Sequence, residues 1–300
     1  MKDQILSDQY RIGDDALTRQ AMGAIGGVAW GSIFLLIGSV AAFVTVWVLA
    51  ASGAIPLWAG CLLNSYLVYV MYTPMHEAVH GNVQGQARRY RWLNDIVGGF
   101  VSVPLLLPYH WHKYTHLAHH SSTNTADGDP DHWMAVRGFG PVVLRGLTIL
   151  YAHASFFFIK QAGRIQRKHL YLGWAEFAAA YGMLLALGLS GLWLEVLLLS
   201  IVPFIFGFAL IGIFFDWLVH VPYKETARFR DTNIFRFPEP VDTLISLLYL
   251  YQNYHLIHHL FPRVPFYRMR KVYRLMAADL QERGAPVFAF GVKPVSGARA

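Results

Sequence analysis

The sequence predicts an all-α integral membrane protein: about four transmembrane helices in two hairpins, interfacial helices between them, and a cytosolic histidine-rich cap able to hold two metal ions. Three observations predict it. The 300 residues are 55% hydrophobic and 14% charged, against roughly 25% charged in a soluble globular chain. Long uncharged apolar runs are matched to a hydrocarbon core of about 30 Å. Nine of the 14 histidines fall in clusters at the ends of those runs.

Residues 1–22 are polar and of mixed charge, lack the short apolar core and cleavage site of a signal peptide, and read as a cytosolic lead-in. Residues 24–75 read as the first hairpin. Ala24 to Ala51 is an uncharged span with Trp30 and Trp47 near its ends, where a bilayer interface favours aromatics. Ser52-Gly53-Ala54-Ile55-Pro56 reverses the chain, and a second span returns to about Met75. Residues 76–172 read as a cytosolic and interfacial region. Arg88, Arg89 and Arg91 mark it as cytosolic, Ile96 to Leu107 is too short to span, and 141–172 reads as amphipathic interfacial helices. Residues 174–215 form the second hairpin about Leu189-Ser190-Gly191. Residues 216–300, basic and aromatic, complete the cap. Both termini and every histidine cluster then share one membrane face, which the Lys/Arg distribution assigns to the cytosol.

The formal charge of +7 follows from basic residues flanking apolar spans, so nucleic acid is not an expected partner. The single cysteine, Cys61, sits in an apolar run and excludes a disulfide framework or an iron–sulfur site.

The chemistry lies in the clusters. His76 and His80 are spaced i, i+4, one face of a helix. His116-Leu117-Ala118-His119-His120 and His255-Leu256-Ile257-His258-His259 repeat one spelling, and His220 closes the apolar segment between them. Neutral imidazole is the commonest ligand for transition metals. One tetrahedral ion takes four ligands, so nine argue for a dinuclear site. His110, His112, His132, His153 and His169 read as ordinary surface or core residues. His76-Glu77-Ala78-Val79-His80 also spells the H-E-x-x-H zinc-protease signature, but that reading leaves the other seven clustered histidines without a role; Glu77 then faces elsewhere or stands behind a ligand.

The pattern His-x-x-x-His, His-x-x-His-His, His-x-x-His-His resembles the membrane fatty acid desaturase and hydroxylase superfamily over residues 24 to about 275. His116 to His120 followed by Asp129-Pro130-Asp131-His132-Trp133, the run His153 to Phe158, and Gln252 to Pro265 look most like the desaturase-type β-carotene hydroxylases. The resemblance implies a non-haem centre of two iron ions, with O2 as co-substrate. Its ligands would be His76, His80, His116, His119, His120, His220, His255, His258 and His259, with no catalytic residue beyond the metal centre. In acyl-CoA desaturases an asparagine four residues before the ligand that precedes the last box, here His220, joins the centre; this chain has Asp216 there. Asp216, Asn253 and Glu77 are candidates for a metal contact or for orienting a ligand.

Unactivated C–H bonds do not yield to acid–base groups, so an oxidant made from O2 is required. No flavin, haem or Cys-rich segment is apparent in the sequence, which implies an external donor, a ferredoxin or a cytochrome b5-like protein. The basic residues Arg228, Arg230, Arg268, Arg270 and Lys271 are its expected docking surface. The substrate is a membrane-dissolved lipid. Carotenoid ring hydroxylation is the first reading, acyl-lipid desaturation or hydroxylation the second, and a membrane zinc protease a distant third. A metal transporter would string ligands across the bilayer, and a haem cytochrome would pair histidines between spans.

Overall fold

The computed structural model describes residues 16–291. The expected lead-in up to residue 15 and the end of the expected cap from 292 lie outside the described residues. The described chain is predominantly helical, in the order α1 (Ala16–Gly23), α2 (Trp30–Ala51), α3 (Leu57–Val79), α4 (Trp92–Ser102), α5 (Tyr109–Ser121), α6 (Phe139–Leu147), α7 (Ile149–Gln161), α8 (Arg167–Leu189), α9 (Trp193–His220), α10 (Val241–Leu248), α11 (His255–Leu260) and α12 (Met269–Glu282). Strands β1 (Ile234–Arg236) and β2 (Val287–Ala289) pair in parallel across the cap.

Three helices, α2, α8 and α9, are long and apolar enough to cross a membrane by themselves. The fourth expected span, α3, has the length at 23 residues, but Asn64, Ser65 and Thr73 dilute its apolar character, and all three are buried. Asn64 and Ser65 both bond within the protein, Ser65 to the Cys61 carbonyl of its own helix. Asn64 Nδ2 donates to the Leu199 carbonyl of α9 at 2.9 Å. At Gly207 of α9 a Cβ would stand 2.4 Å from Val68 Cγ1, so the missing side chain is what lets α9 close against α3. Trp47 of α2 donates to Ser200 of α9 at 3.2 Å. The expected interfacial stretch contains α6 and α7, which together are also apolar enough to cross but are bent by 54° at their junction.

The polarity of this bundle is inverted. Trp30, Phe34, Ile37, Trp58, Leu62, Trp174, Leu185, Leu189, Trp193 and Leu194 are exposed while Ser32, Ser39 and Asn64 are buried, the arrangement required when the surroundings are hydrocarbon and backbone and side-chain polar groups must be satisfied internally. At 28 residues α9 is about 42 Å long at 1.5 Å per residue, so its last turn, with His220, extends beyond a core of about 30 Å. One continuous apolar core, including Met71, Met75, Tyr109, Leu256, Ile257 and Met276, joins the ends of the long helices to the cap.

Candidate metal centre

Each histidine-bearing element is fixed by a local device. In α3, His76 lies in the last turn and His80 is the C-cap, so the two imidazoles stack one turn apart. α5 begins behind Pro108, and its first residue, Tyr109, is fully buried with its hydroxyl donating to the Ala78 carbonyl at 3.2 Å. A Cβ on Gly98 of α4 would meet the Tyr109 ring at 2.3 Å, so this glycine is what seats α5 against α3 and α4. His220 ends α9 after the helix widens into a π-turn at Gly212–Trp217, a distortion common at functional sites. The one-and-a-half-turn helix α11 carries His255, His258 and His259.

These devices bring all nine expected histidines together as two groups: His76, His80, His116, His120 and His258 in one, His119, His220, His255 and His259 in the other. The inner nitrogens are crowded. Nε2 atoms stand 2.9 Å apart in the His80–His116 pair, 3.1 Å in His116–His120 and 3.0 Å in His120–His258. In the second group the separations are 3.2 Å for His119–His259 and 3.3 Å for His220–His255. Nitrogens bound at about 2.1 Å to one ion stand about 3.0 Å apart at right angles and about 3.4 Å apart at the tetrahedral angle, so the spacing suits a shared cation.

The outer nitrogens of the second group support the same fit. His119 Nδ1 lies 2.8 Å from Asp129 Oδ1 and 3.1 Å from Asp131 Oδ2; His255 Nδ1 lies 2.8 Å from Gln252 Oε1. His220 Nδ1 lies 3.1 Å from Asn124 Oδ1, and because Asn124 Nδ2 already donates to the Glu225 and Asp231 carbonyls, its oxygen must be the atom that accepts from His220. His259 Nδ1 is 3.6 Å from Asp231 Oδ2. A neutral imidazole has one N–H; donated outward, it leaves lone pairs facing each other inside, an arrangement that a cation relieves.

Electrostatics agree at four of the rings and differ at His119. Burial lowers the pKa of His116, His120, His255 and His258, which keeps them neutral and ligand-ready. Burial also works against a charge on His119, but Asp129 and Asp131 outweigh it and hold its pKa up at about 9. Burial opposes the charge on Asp131 too, yet His119 and His153 keep that carboxyl well below its usual range.

The remaining expected residues lie elsewhere. Glu77 turns away from the rings, accepting from Ser32 Oγ at 3.1 Å and Asn82 Nδ2 at 2.9 Å. Asn253 donates to the Phe235 carbonyl and to Ser246 Oγ and stands outside both groups; its neighbour Gln252 is the residue that contacts His255. Asp216 gathers with Asp131 and His153 beside the second group, and its Oδ2 is buried without a partner. Of the expected docking cations, Arg268 donates to the Ala24 carbonyl at 2.7 Å and Arg270 pairs with Glu239 and Asp242, so both serve the cap internally. Arg228, exposed, instead borders an open cavity of about 960 Å³ that also carries Arg88 and Arg91 and reaches His80, His120 and His259.

Sequence reasoning missed Asp129, Asp131, Asp231, Asn124 and Gln252 as orienting groups, and treated His153 as ordinary although its Nε2 lies 2.8 Å from Asp131 Oδ1. The available signal was the acidic loop Asp127 to Asp131 directly after the first His-x-x-His-His.

Known proteins point the same way. The sequence is 28% identical over 242 residues to a beta-carotene ketolase of Paracoccus sp. (strain PC1), covering 75% of this chain and 83% of the relative. It is 25% identical over 277 residues to a chloroplastic omega-3 fatty acid desaturase of Glycine max, covering 77% of this chain and 57% of that protein. A shorter match, 29% over 75 residues, is to an sn-1 acyl-lipid omega-3 desaturase (ferredoxin) of Nostoc sp. (strain 36), of whose length it spans 20%. The sequence model of the family described as fatty acid desaturase matches residues 52–291, a stretch that contains all nine clustered histidines, and the chain therefore belongs to the fatty acid desaturase family.

Proposed function

We propose that the protein is a membrane oxidoreductase that uses O2 and two histidine-bound iron ions to oxidise a C–H bond of a membrane-dissolved lipid, and that its reaction is hydroxylation of the β-ionone ring of a carotenoid. The observation that carries this reading is the sorting of nine imidazoles, seven of them buried, into two groups with their Nε2 atoms turned inward. Bound there, the ions would supply the reaction with O2 that no side chain can perform on an unactivated C–H bond.

The chain's own residues bind, orient and exclude water. Asp129, Asp131, Asn124 and Gln252 fix ring orientation from behind, as outer partners of metal-binding histidines do. On the membrane side Tyr72, Phe208 and Phe215 line up beside His76, with ring centroids 6.0 Å from His76 to Tyr72 and 6.1 Å from His76 to Phe215. This aromatic wall is buried and suits an apolar substrate arriving from the spans. The alignment with a carotenoid ketolase covers most of both chains, which favours a carotenoid; the alignment with omega-3 desaturases favours the second reading, acyl-lipid desaturation. Two electrons per turnover come from a separate ferredoxin or cytochrome b5-like carrier, and the arginines around the open cavity favour a cytosolic reading of that face.

Expression in a host that accumulates β-carotene tests both readings at once. Conversion of the pigment to a more polar carotenoid, with the fatty acids unchanged, supports ring hydroxylation. New double bonds in the acyl chains, with the pigment unchanged, transfer the assignment to desaturation, and neither change in a strain whose purified protein carries iron rejects both substrates.

A further inference from the structure

The two histidine groups are braced unequally. Each ring of the four-histidine group has an oxygen facing its outer nitrogen: Asp129 and Asp131 at His119, Asn124 at His220, Gln252 at His255 and Asp231 at His259. The braces are themselves held. Asp129 accepts from the Asn124 and Asp131 amides at 2.7 and 2.9 Å, and Asn124 Nδ2 donates to the Asp231 carbonyl at 2.7 Å. The five-histidine group has no such frame. Nδ1 of His76, His80 and His258 is buried without a partner, and His76 has no partner at either nitrogen.

We infer that the two metal positions have unequal affinities: the four-histidine position fills first and retains its ion, and the five-histidine position is the labile, exchangeable one. This rests on the dinuclear reading proposed above.

Two effects oppose each other here. A fifth ligand strengthens the five-histidine position. Against it, an outer partner is worth about ten- to a hundredfold in metal affinity, and the four-histidine position has such a partner within hydrogen-bond reach at three rings and a carboxylate 3.6 Å from the fourth, where three rings of the other have none. Three of those partners are carboxylates, whose negative charge favours a dication close by in a buried setting. The braced rings also have their tautomer set before the ion arrives, whereas unbraced rings must be ordered by the ion itself.

The experiment is titration of metal-free, detergent-solubilised full-length protein with Co(II), followed by visible absorption. Two steps separated by tenfold or more in affinity are expected. His220→Ala removes the tight step and leaves the weak one; His76→Ala leaves the tight step in place. Asp231→Asn, at the rim of the site, weakens the tight step by about ten- to a hundredfold without moving the weak one. Two steps of equal affinity, or a tight step that survives His220→Ala and is lost in His76→Ala, overturn the inference while leaving the dinuclear reading intact. Co(II) binding in neither step, in protein that keeps its helical circular dichroism, overturns the dinuclear reading itself.

Discussion

His119 is the side chain on which the polar structure converges, with two carboxylates at one nitrogen and the His259 ring at the other. Replacing His76, His116, His119, His255 or His258 by alanine is expected to abolish turnover with membrane insertion intact. His132→Ala, whose ring packs edge-on to Tyr223 outside both groups, is the control and keeps activity. Substrate conversion in isolated membranes at matched protein amount checks both. Glu77 provides the sharper contrast between metal chemistries. A zinc-protease base contributes about 10²–10⁴-fold, so Glu77→Gln would remove that much activity from a hydrolase. Here the carboxylate binds Ser32 and Asn82 with its back to the rings, and Glu77→Gln is expected to retain wild-type turnover within a few-fold. A loss of two orders of magnitude in lipid oxidation with iron content unchanged would contradict the placement of Glu77.

At the scale of elements, α5 is the one whose position matters most, because it supplies histidines to both groups. It is held from two sides. Gly98 leaves room for Tyr109, and Gly98→Ala puts a methyl group 2.3 Å from that ring, an overpacking that costs about 1–3 kcal/mol and displaces α5. Reduced iron per chain, with a lowered melting temperature, is the expected result by elemental analysis and thermal denaturation. On the far side, half-buried Glu176 of α8 accepts from the His110 amide at 3.1 Å and contacts His110 Nδ1 at 2.6 Å. Glu176→Ala strands the His110 ring and is expected to lower stability by about 1–3 kcal/mol. These anchors mark the boundary of what the sequence could show. Ligand spacing is local: i, i+4 on α3 and i, i+3, i+4 on α5 and α11 repeat with the helical period, so the histidine set could be read directly. The braces could not, since His220 finds Asn124 across 96 positions and His259 finds Asp231 through a loop. α3 was readable as an element, because its length and flanking turns are local. Its buried polar residues make sense only once α9 supplies the Leu199 carbonyl.

At the scale of the molecule, the exposed surface divides by chemistry. The long helices carry apolar residues such as Phe34, Trp58, Leu189 and Trp193 outward, and the opposite end carries the open cavity bordered by Arg88, Arg91 and Arg228 with His80, His120 and His259 in its wall. None of these three arginines pairs with a carboxylate among the described residues, while Arg270 and Arg274 do. The cavity joins this basic rim to three of the clustered histidines, so for the proposed acidic electron donor charge and access favour the same face. Rim charges act chiefly on association rate and its salt dependence, and at physiological ionic strength they are screened beyond about 8 Å. The double variant Arg88→Glu, Arg228→Glu is therefore expected to raise the KM for an acidic donor several-fold, to leave kcat at saturating donor near its wild-type value, and to flatten the fall in rate that the native protein shows as salt is added. Steady-state rates across a salt series, with donor concentration varied at each point, separate the outcomes. An unchanged KM and an unchanged salt dependence would move the docking face away from this cavity, towards Arg230 and Lys271, which are also exposed on the cap.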